Sequence, residues 1–107
     1  MKVDVHLTAY QGGQVRQVEV PDIECTGSTN ALLEIIYCYG QNEAQPQKDM
    51  CSVSPGDIIE LRGRLYIILM VGFTEITKDD IKKFKKLNPT DKMKYLMGME
   101  EDGYKKQ

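Results

Sequence analysis

Few residues of this chain have the types and spacing that catalysis requires. His6 is the only histidine, and no serine or cysteine lies in a nucleophile motif that could use it as a general base. Asp57 and Glu60 could act as paired carboxylates, but Asp57 belongs to a Pro-Gly-Asp turn, where its side chain more naturally accepts hydrogen bonds from the local backbone. We therefore expect a protein that is not an enzyme.

The cysteines and glycines indicate neither a metal site nor a cofactor. Cys25, Cys38 and Cys51 are an odd number and form no CxxC pair, so a disulfide framework and a zinc site are both disfavoured. Cys38 falls inside an apolar helical segment, where a free cysteine behaves as a small hydrophobic residue. The Gly-Gly pair at 12–13 lacks the helix and the lysine of a phosphate-binding loop.

Two segments, 37–42 and Ser52-Val53-Ser54, are better suited to binding than to catalysis. Tyr37, Tyr39, Gln41 and Asn42 combine aromatic area with amide donors and acceptors, the mixture that protein-binding surfaces favour. The alternative is that the two amides satisfy carbonyl groups at the end of a helix and brace the following loop. Both interpretations stay open, because the sequence does not distinguish exposed tyrosines from buried ones.

The C-terminal third is basic, whereas the rest of the chain is acidic. Residues 78–107 contain nine lysines and six acidic residues, against five basic and ten acidic residues in 1–77. Such a run could bind nucleic acid through Lys78, Lys82, Lys85 and Lys86, or dock against an acidic surface. At 100° per residue, however, these lysines lie opposite an apolar stripe, which is typical of a solvated helix face.

Hydrophobic periodicity predicts the strands that position these residues. Alternating apolar residues indicate strands at 3–9 and 15–20, which the glycine-rich turn at 11–14 would pair antiparallel. A second hairpin is predicted at 57–76, after the turn Ser54-Pro55-Gly56-Asp57. Within it the segment 65–71 is apolar on both faces and is expected to be central, with Gly72 as a bulge.

Helices are predicted at 30–39 and 78–97. Gly40 stands where a left-handed C-cap is favoured, and Thr77 and Asp80 have the spacing of a capping box. Asn88-Pro89 opens a further helix through residue 97, and residues 99–107 are expected to be a frayed polar tail. The 107 residues suit one domain, at 1–98. Its predicted class is α+β: a single small antiparallel sheet from two β-hairpins, with one packed helix and C-terminal helices.

Short motifs in the middle of the chain resemble those of a known family. The segments Ile36-Tyr37-Cys38-Tyr39-Gly40-Gln41-Asn42-Glu43 and Ser52-Val53-Ser54-Pro55-Gly56-Asp57-Ile58-Ile59, followed by Leu65-Tyr66 and Gly72-Phe73, are similar to the YodL-like family of small bacterial, plasmid and phage proteins. The resemblance covers residues 32–76 and singles out Gln41, Asn42, Ser52, Ser54, Asp57 and Phe73. It implies an accessory protein of a phage or mobile element that acts on a host protein, such as a defence protein.

The sequence therefore predicts a cytoplasmic protein-interaction module. The expected partner-binding residues are Tyr37, Tyr39, Gln41, Asn42, Ser52, Ser54, Asp57 and Phe73. The start of the chain lacks the apolar core of a secretory signal, and the longest apolar run, 65–71, is too short to span a bilayer. The first strand is expected at a sheet edge, where it could pair across a homodimer.

Overall fold

The strands form one sheet, and helices pack on both of its faces. The computed structural model describes residues 1–9, 14–22, 27–41, 45 and 52–105, and only the backbone of 99–105. Within these ranges the order is β1 (Lys2–Leu7), β2 (Gln14–Glu19), α1 (Thr29–Tyr39), β3 (Ile58–Leu61), β4 (Arg64–Ile68), β5 (Phe73–Ile76), α2 (Lys78–Lys85) and α3 (Pro89–Lys105). The sheet is antiparallel with strand order β2-β1-β3-β4-β5, so the predicted α+β class is confirmed.

Strand β1 lies inside the sheet, so its predicted place at an edge is wrong. It pairs with β2 on one side, where Lys2 faces Glu19, and with β3 on the other, where Asp4 faces Glu60. The long connection through α1 returns the chain to the free side of β1, and this position buries Val5 completely. The sheet edges among the described strands are therefore β2 and β5, and a homodimer through an exposed strand edge, which would have to form at one of these two strands, stays a prediction.

The predicted second hairpin is two hairpins, β3–β4 and β4–β5. In the β3–β4 turn, Arg62 and Gly63 both have positive φ, at 52° and 78°, as a primed hairpin turn requires. Gly72 is not a bulge: Leu69 N donates to Gly72 O at 3.0 Å, and Ile68 pairs with Phe73 beyond the turn. The segment predicted as one interrupted strand is thus β4, a turn at 69–72, and β5.

Each face of the sheet carries its own hydrophobic core. Adjacent residues of β4 point to opposite faces, so Ile68 packs in the core under α1 while Ile67 packs in the core under α2 and α3. This confirms that β4 is covered on both sides. The α1 side buries Val5, Leu32, Leu33 and Ile36 among others, and the α2–α3 side is built around Phe84 and Leu96.

The start of α1 follows the predicted chemistry, whereas its end does not. Ser28 caps α1 by accepting from Ala31 N at 3.2 Å. Gly40 has φ −71°, so the predicted left-handed cap is wrong. A Cβ at Gly40 would lie 2.5 Å from Cγ2 of Val53, and this close approach explains the glycine.

The C-terminal helices begin as predicted. Thr77 and Asp80 form a reciprocal capping box at the start of α2, with both hydrogen bonds 3.2 Å long. Asn88 accepts from Asp91 N at 2.8 Å and Pro89 opens α3, which continues to Lys105 and so runs past the predicted end at 97. Within the described residues no helix is both long and apolar enough to cross a bilayer.

Candidate functional site

The Ser-Pro-Gly-Asp turn is tied to the end of β1 through Asp57. The side chain of Asp57 is 2% exposed. Its Oδ1 accepts from Ala9 N at 3.0 Å and its Oδ2 accepts from Ser54 N at 2.9 Å. Gly56 takes φ +95°, and Asp57 N donates to Ser54 O at 3.0 Å, as in the predicted turn.

Two further side chains complete this contact between the turn and β1. The Thr8 hydroxyl donates to the carbonyl of Gly56, and Lys92 Nζ donates to Thr8 O at 2.6 Å. Burial raises the pKa of Asp57 to about 6, opposed by the hydrogen bonds from Ala9 and Ser54 and by the positive charge of Lys92. Asp57 therefore holds backbone groups together, and its surroundings do not resemble a site of paired carboxylates.

Glu60, which was considered as the second carboxylate of a pair with Asp57, contacts a different residue. His6 Nε2 lies 3.5 Å from Glu60 Oε1 on the neighbouring strand, and Glu60 is exposed. Within the described residues no three His, Cys, Asp or Glu side chains come together in a way that could hold a metal ion.

Gln41 makes hydrogen bonds of the kind expected if it braces the chain after α1, which was one of its two predicted roles. Its Nε2 donates to Tyr37 O at 3.0 Å and to Val53 O at 2.9 Å, which ties the end of α1 to the segment before β3. Ser54 Oγ donates to Ser52 O at 3.2 Å in the same segment. Asn42, the other predicted amide, lies outside the described residues.

A second glutamine, absent from the predictions, has a similar role. Gln45 is 3% exposed, and its Oε1 accepts from Glu19 N at 2.9 Å. Its Nε2 donates to Glu19 O at 3.0 Å and Tyr39 O at 2.6 Å, which joins β2 to α1. A glutamine in a polar, non-periodic segment gives no sequence signal for burial, so this contact could be found only from the structure.

Tyr37 and Phe73 line one groove, which we call the aromatic groove. It has a volume of about 260 Å³ and its lining includes Glu34, Tyr37, Cys38, Pro55, Met70 and Phe73. Tyr37 and Phe73 are both half-buried against the core under α1. Cys38, which the sequence placed inside an apolar helix, is exposed in this groove. It lies about 200° around the helix from the buried Ile36.

Tyr39 lies away from Tyr37, because residues two apart on a helix do not face each other. It lines a separate depression of about 470 Å³, together with Lys2, Val20, Pro21 and Asp22. The predicted partner-binding residues are therefore divided: Tyr37 and Phe73 meet in the aromatic groove, and Gln41, Ser54 and Asp57 hold the backbone beside it.

A second groove adjoins the first and shares Pro55 and Met70 with it. We call it the methionine groove; its volume is about 220 Å³ and its lining includes Pro55, Met70, Phe84, Lys92, Met93 and Leu96. The residues around it are unusually exposed for their type: Met70 54%, Val71 81%, Met93 54% and Met97 55%. Met93, Leu96 and Met97 lie in the helix predicted through residue 97, and of these three only Leu96 is buried.

The lysines of the alternative nucleic-acid site lie on the solvent face of α2 and just after it. Lys78, Lys82, Lys85 and Lys86 are all exposed, while Phe84 is buried and Ile81 and Leu87 are half-buried beneath them. This is the arrangement expected of an amphipathic helix.

Fold and grooves define the protein as a small α+β domain with an apolar surface at one end of its sheet. No protein-family model matches the chain, and neither a curated protein nor a solved structure shows significant similarity to it. The resemblance to the YodL-like family therefore stays a prediction.

Proposed function

We propose that the protein is a non-enzymatic protein-interaction module that binds its partner at the aromatic groove. The observation that carries this proposal is the exposed turn beside the groove, in which Met70 and Val71 are 54% and 81% exposed. Apolar side chains next to half-buried aromatic residues are what the centre of a protein interface offers. Tyr37 and Phe73 would contact the partner directly.

The polar residues of the predicted site would support this surface from behind. Gln41 and Asp57 each make one hydrogen bond to the segment that carries Pro55, through Val53 O and Ser54 N respectively, and a second one to a neighbouring element. Their role in the proposal is to fix Pro55 at the edge of the groove. The family resemblance adds the hypothesis that the partner is a host protein bound by a phage or mobile-element product.

Cys38 allows a direct test, because its free thiol is exposed in the groove. With Cys25 and Cys51 replaced by serine, a benzophenone maleimide attached to Cys38 should crosslink a partner in a bacterial lysate. Val71→Asp and Phe73→Ala should each remove that crosslink. The matched control is Val15→Asp on β2, where the native valine is 46% exposed.

The proposal fails if the same crosslinked species form with Val71→Asp and Phe73→Ala as with the parent protein. It also fails if no specific species forms while the probe at Cys38 is shown to be photoactive. Urea unfolding of each variant separates loss of binding from loss of the fold.

A second candidate is nucleic-acid binding through Lys78, Lys82, Lys85 and Lys86. The observation in its favour is that all four lysines are exposed on one element and its cap. A gel-shift series with single-stranded and duplex DNA should then show binding that weakens steeply with salt and disappears when Lys82, Lys85 and Lys86 become glutamate. No shift at low salt would exclude this function.

A further inference from the structure

Strand β5 presents unpaired backbone groups at its edge of the sheet. Ile68 N donates to Asp57 O at 2.9 Å, on the side of β3. The residue before Ile68 therefore hydrogen-bonds on the side of β5, where it pairs with Thr74. Because these directions alternate along a strand, the amides and carbonyls of Phe73 and Glu75 point away from β4. In the part of the chain that the structure describes, no hydrogen-bond partner reaches these backbone groups.

The other edge, β2, is partly closed to a further strand. The side-chain amide of Gln45 accepts from Glu19 N at 2.9 Å and donates to Glu19 O at 3.0 Å, the two bonds that a neighbouring strand would make there. Arg16, in the middle of β2, is fully buried, and inward-pointing charges protect edge strands from pairing. The charged residue of β5, Glu75, is exposed instead. Of the two edges, β5 is therefore the one suited to pairing.

The edge of β5 is continuous with the aromatic groove. Side chains two apart on a strand share a face, so Phe73 and Glu75 both lie on the α1 face, where Phe73 lines the groove with Tyr37. An added strand would place every second side chain on this face, and the one opposite Phe73 would lie next to its ring. Val71, just before β5, is 81% exposed and extends the apolar part of this edge.

We infer that the partner adds an extended strand to β5, with an apolar side chain opposite Phe73. Amides and carbonyls at strand spacing are satisfied by another extended backbone, whereas a helix pairs its own backbone groups internally. We expect the added strand to run antiparallel, as in all four pairings of the described strands. The inference rests on the proposed function in placing the partner at this surface, and it adds the form in which the partner binds.

A second copy of the chain fits this edge less well. Two β5 strands paired antiparallel about Thr74 would place Phe73 of each copy opposite Glu75 of the other. A shift that brings the two Phe73 rings together would place Glu75 opposite Val71, and the reverse shift would bring two Glu75 carboxylates together. Each arrangement sets a carboxylate against an apolar side chain or a like charge, so a foreign strand is the better occupant.

The test uses the full chain and a designed peptide of about eight residues, somewhat longer than a typical strand. The peptide has leucine opposite Phe73, lysine opposite Glu75, threonine elsewhere and a fluorescein at one end. Two matched peptides carry one N-methyl group each. In the first it replaces the leucine N–H, which would bond to Phe73 O, and in the second it replaces the next N–H, which would point to solvent.

Fluorescence anisotropy compares the three peptides. The unmodified peptide should bind with a dissociation constant of about 100 μM or below. The peptide methylated at the solvent-facing amide should bind similarly, and the one methylated at leucine should bind at least about tenfold more weakly. Amide exchange should show that the unmodified peptide protects Phe73 and Glu75, whereas Thr74 is protected by β4 before the peptide is added.

A proline in the protein tests the same hydrogen bonds from the other side. Glu75→Pro removes an N–H that the added strand needs and breaks no bond to β4, because edge strands tolerate proline where the amide points to solvent. It should weaken peptide binding at least about tenfold. Glu75→Thr, the matched control, keeps the amide and should change binding by less than about fivefold. Urea unfolding should show that both variants keep the fold.

Four results would overturn the inference. The unmodified peptide fails to bind, the two methylated peptides bind equally, Glu75→Pro binds as well as Glu75→Thr, or sedimentation shows a dimer that Glu75→Pro converts to a monomer. The last result would mean that a second copy occupies the edge.

The Cys38 crosslink distinguishes this inference from the proposed function. If the crosslinked species survives in Glu75→Pro and is lost in Phe73→Ala, the partner binds the groove without adding a strand, and only the inference fails. If it survives in both variants, the proposed function fails as well. Loss in both variants, with the fold kept, is the result expected of a partner strand on β5.

Discussion

The two faces of the sheet are covered to different degrees. Among the described residues, the core under α1 contains twelve buried residues, from β1–β4 and α1 together with Val20 and Val53, whereas the core under α2 and α3 contains six. The larger core is also fastened by Gln41 and Gln45, whose amides tie α1 to the neighbouring chain. The smaller core leaves Met93 and Met97 in water. We therefore expect the face under α1 to supply most of the stability, whereas the other face leaves apolar side chains exposed.

The largest effect expected from this comparison is at Phe84, the only fully buried aromatic side chain in the described part of the chain. Phe84→Ala should lower the free energy of unfolding by about 3–5 kcal/mol, since it leaves a cavity beneath α2 and α3. Urea unfolding followed by circular dichroism measures this loss. Amide exchange should show α2 and α3 opening before β1 and α1.

Met97→Ala is the matched control on the same side of the sheet. Because Met97 is 55% exposed, its truncation should change the free energy of unfolding by less than about 0.5 kcal/mol. If the two substitutions cost similar amounts, Met97 is part of the core and the face is not open as we describe.

The second prediction concerns pH, through the buried carboxyl of Asp57. The folded protein holds this proton up to about pH 6, whereas the unfolded chain releases it near 3.8. Between these values the folded state binds more protons, so stability should fall as pH rises from about 4 to about 6 and be constant above. The contribution is on the order of 3 kcal/mol. Asp57→Asn should remove this part of the pH profile.

Other groups add their own pH dependence, so the informative quantity is the difference between the two proteins. The urea midpoint of the parent protein minus that of Asp57→Asn, measured from pH 4 to pH 7.5, should fall as pH rises to about 6 and be constant above. A difference that is constant over this range would mean that Asp57 titrates as an exposed carboxyl and that its burial does not control its charge.

Local sequence signals predicted the elements well, because each depended on neighbouring residues. The capping box of Thr77 and Asp80, the Asn88-Pro89 start of α3 and the turn before Asp57 all formed as expected. The predicted place of β1 at a sheet edge was wrong, since strand order depends on where a distant strand joins the sheet.

The candidate site was less predictable than the fold. Tyr37 and Phe73 were expected on a binding surface and do share a groove. Gln45 and Lys92 were not expected to be important, because their contacts join residues 26 and 84 positions away in sequence. The exposure of Met93 could not be read from periodicity either, since an apolar helix residue gives the same signal whether or not another element covers it.

The third prediction tests the close packing at the end of α1. Gly40→Ala would place a Cβ 2.5 Å from Cγ2 of the buried Val53, and should cost about 1–3 kcal/mol. Gly98→Ala in α3 is the matched control, because nothing lies within 4 Å of its Cβ position. It should stabilise the helix by about 0.5–1 kcal/mol. Thermal unfolding of both variants should show opposite shifts; shifts of the same sign would contradict the difference in packing between the two sides.

The smallest expected effect compares the caps of α1 and α2. Thr77→Ala removes the capping-box hydrogen bond from Asp80 N to Thr77 Oγ1 and keeps the one that Thr77 N donates to Asp80. It should cost about 1 kcal/mol, since α2 has only eight residues and buries only Phe84. Ser28→Ala removes one bond from α1, which buries Leu32, Leu33 and Ile36, and should cost about half as much. Urea unfolding gives the free energies, and amide exchange shows where each helix frays. A larger loss from Ser28→Ala would mean that the cap, and not the core beneath it, holds α1 on the sheet.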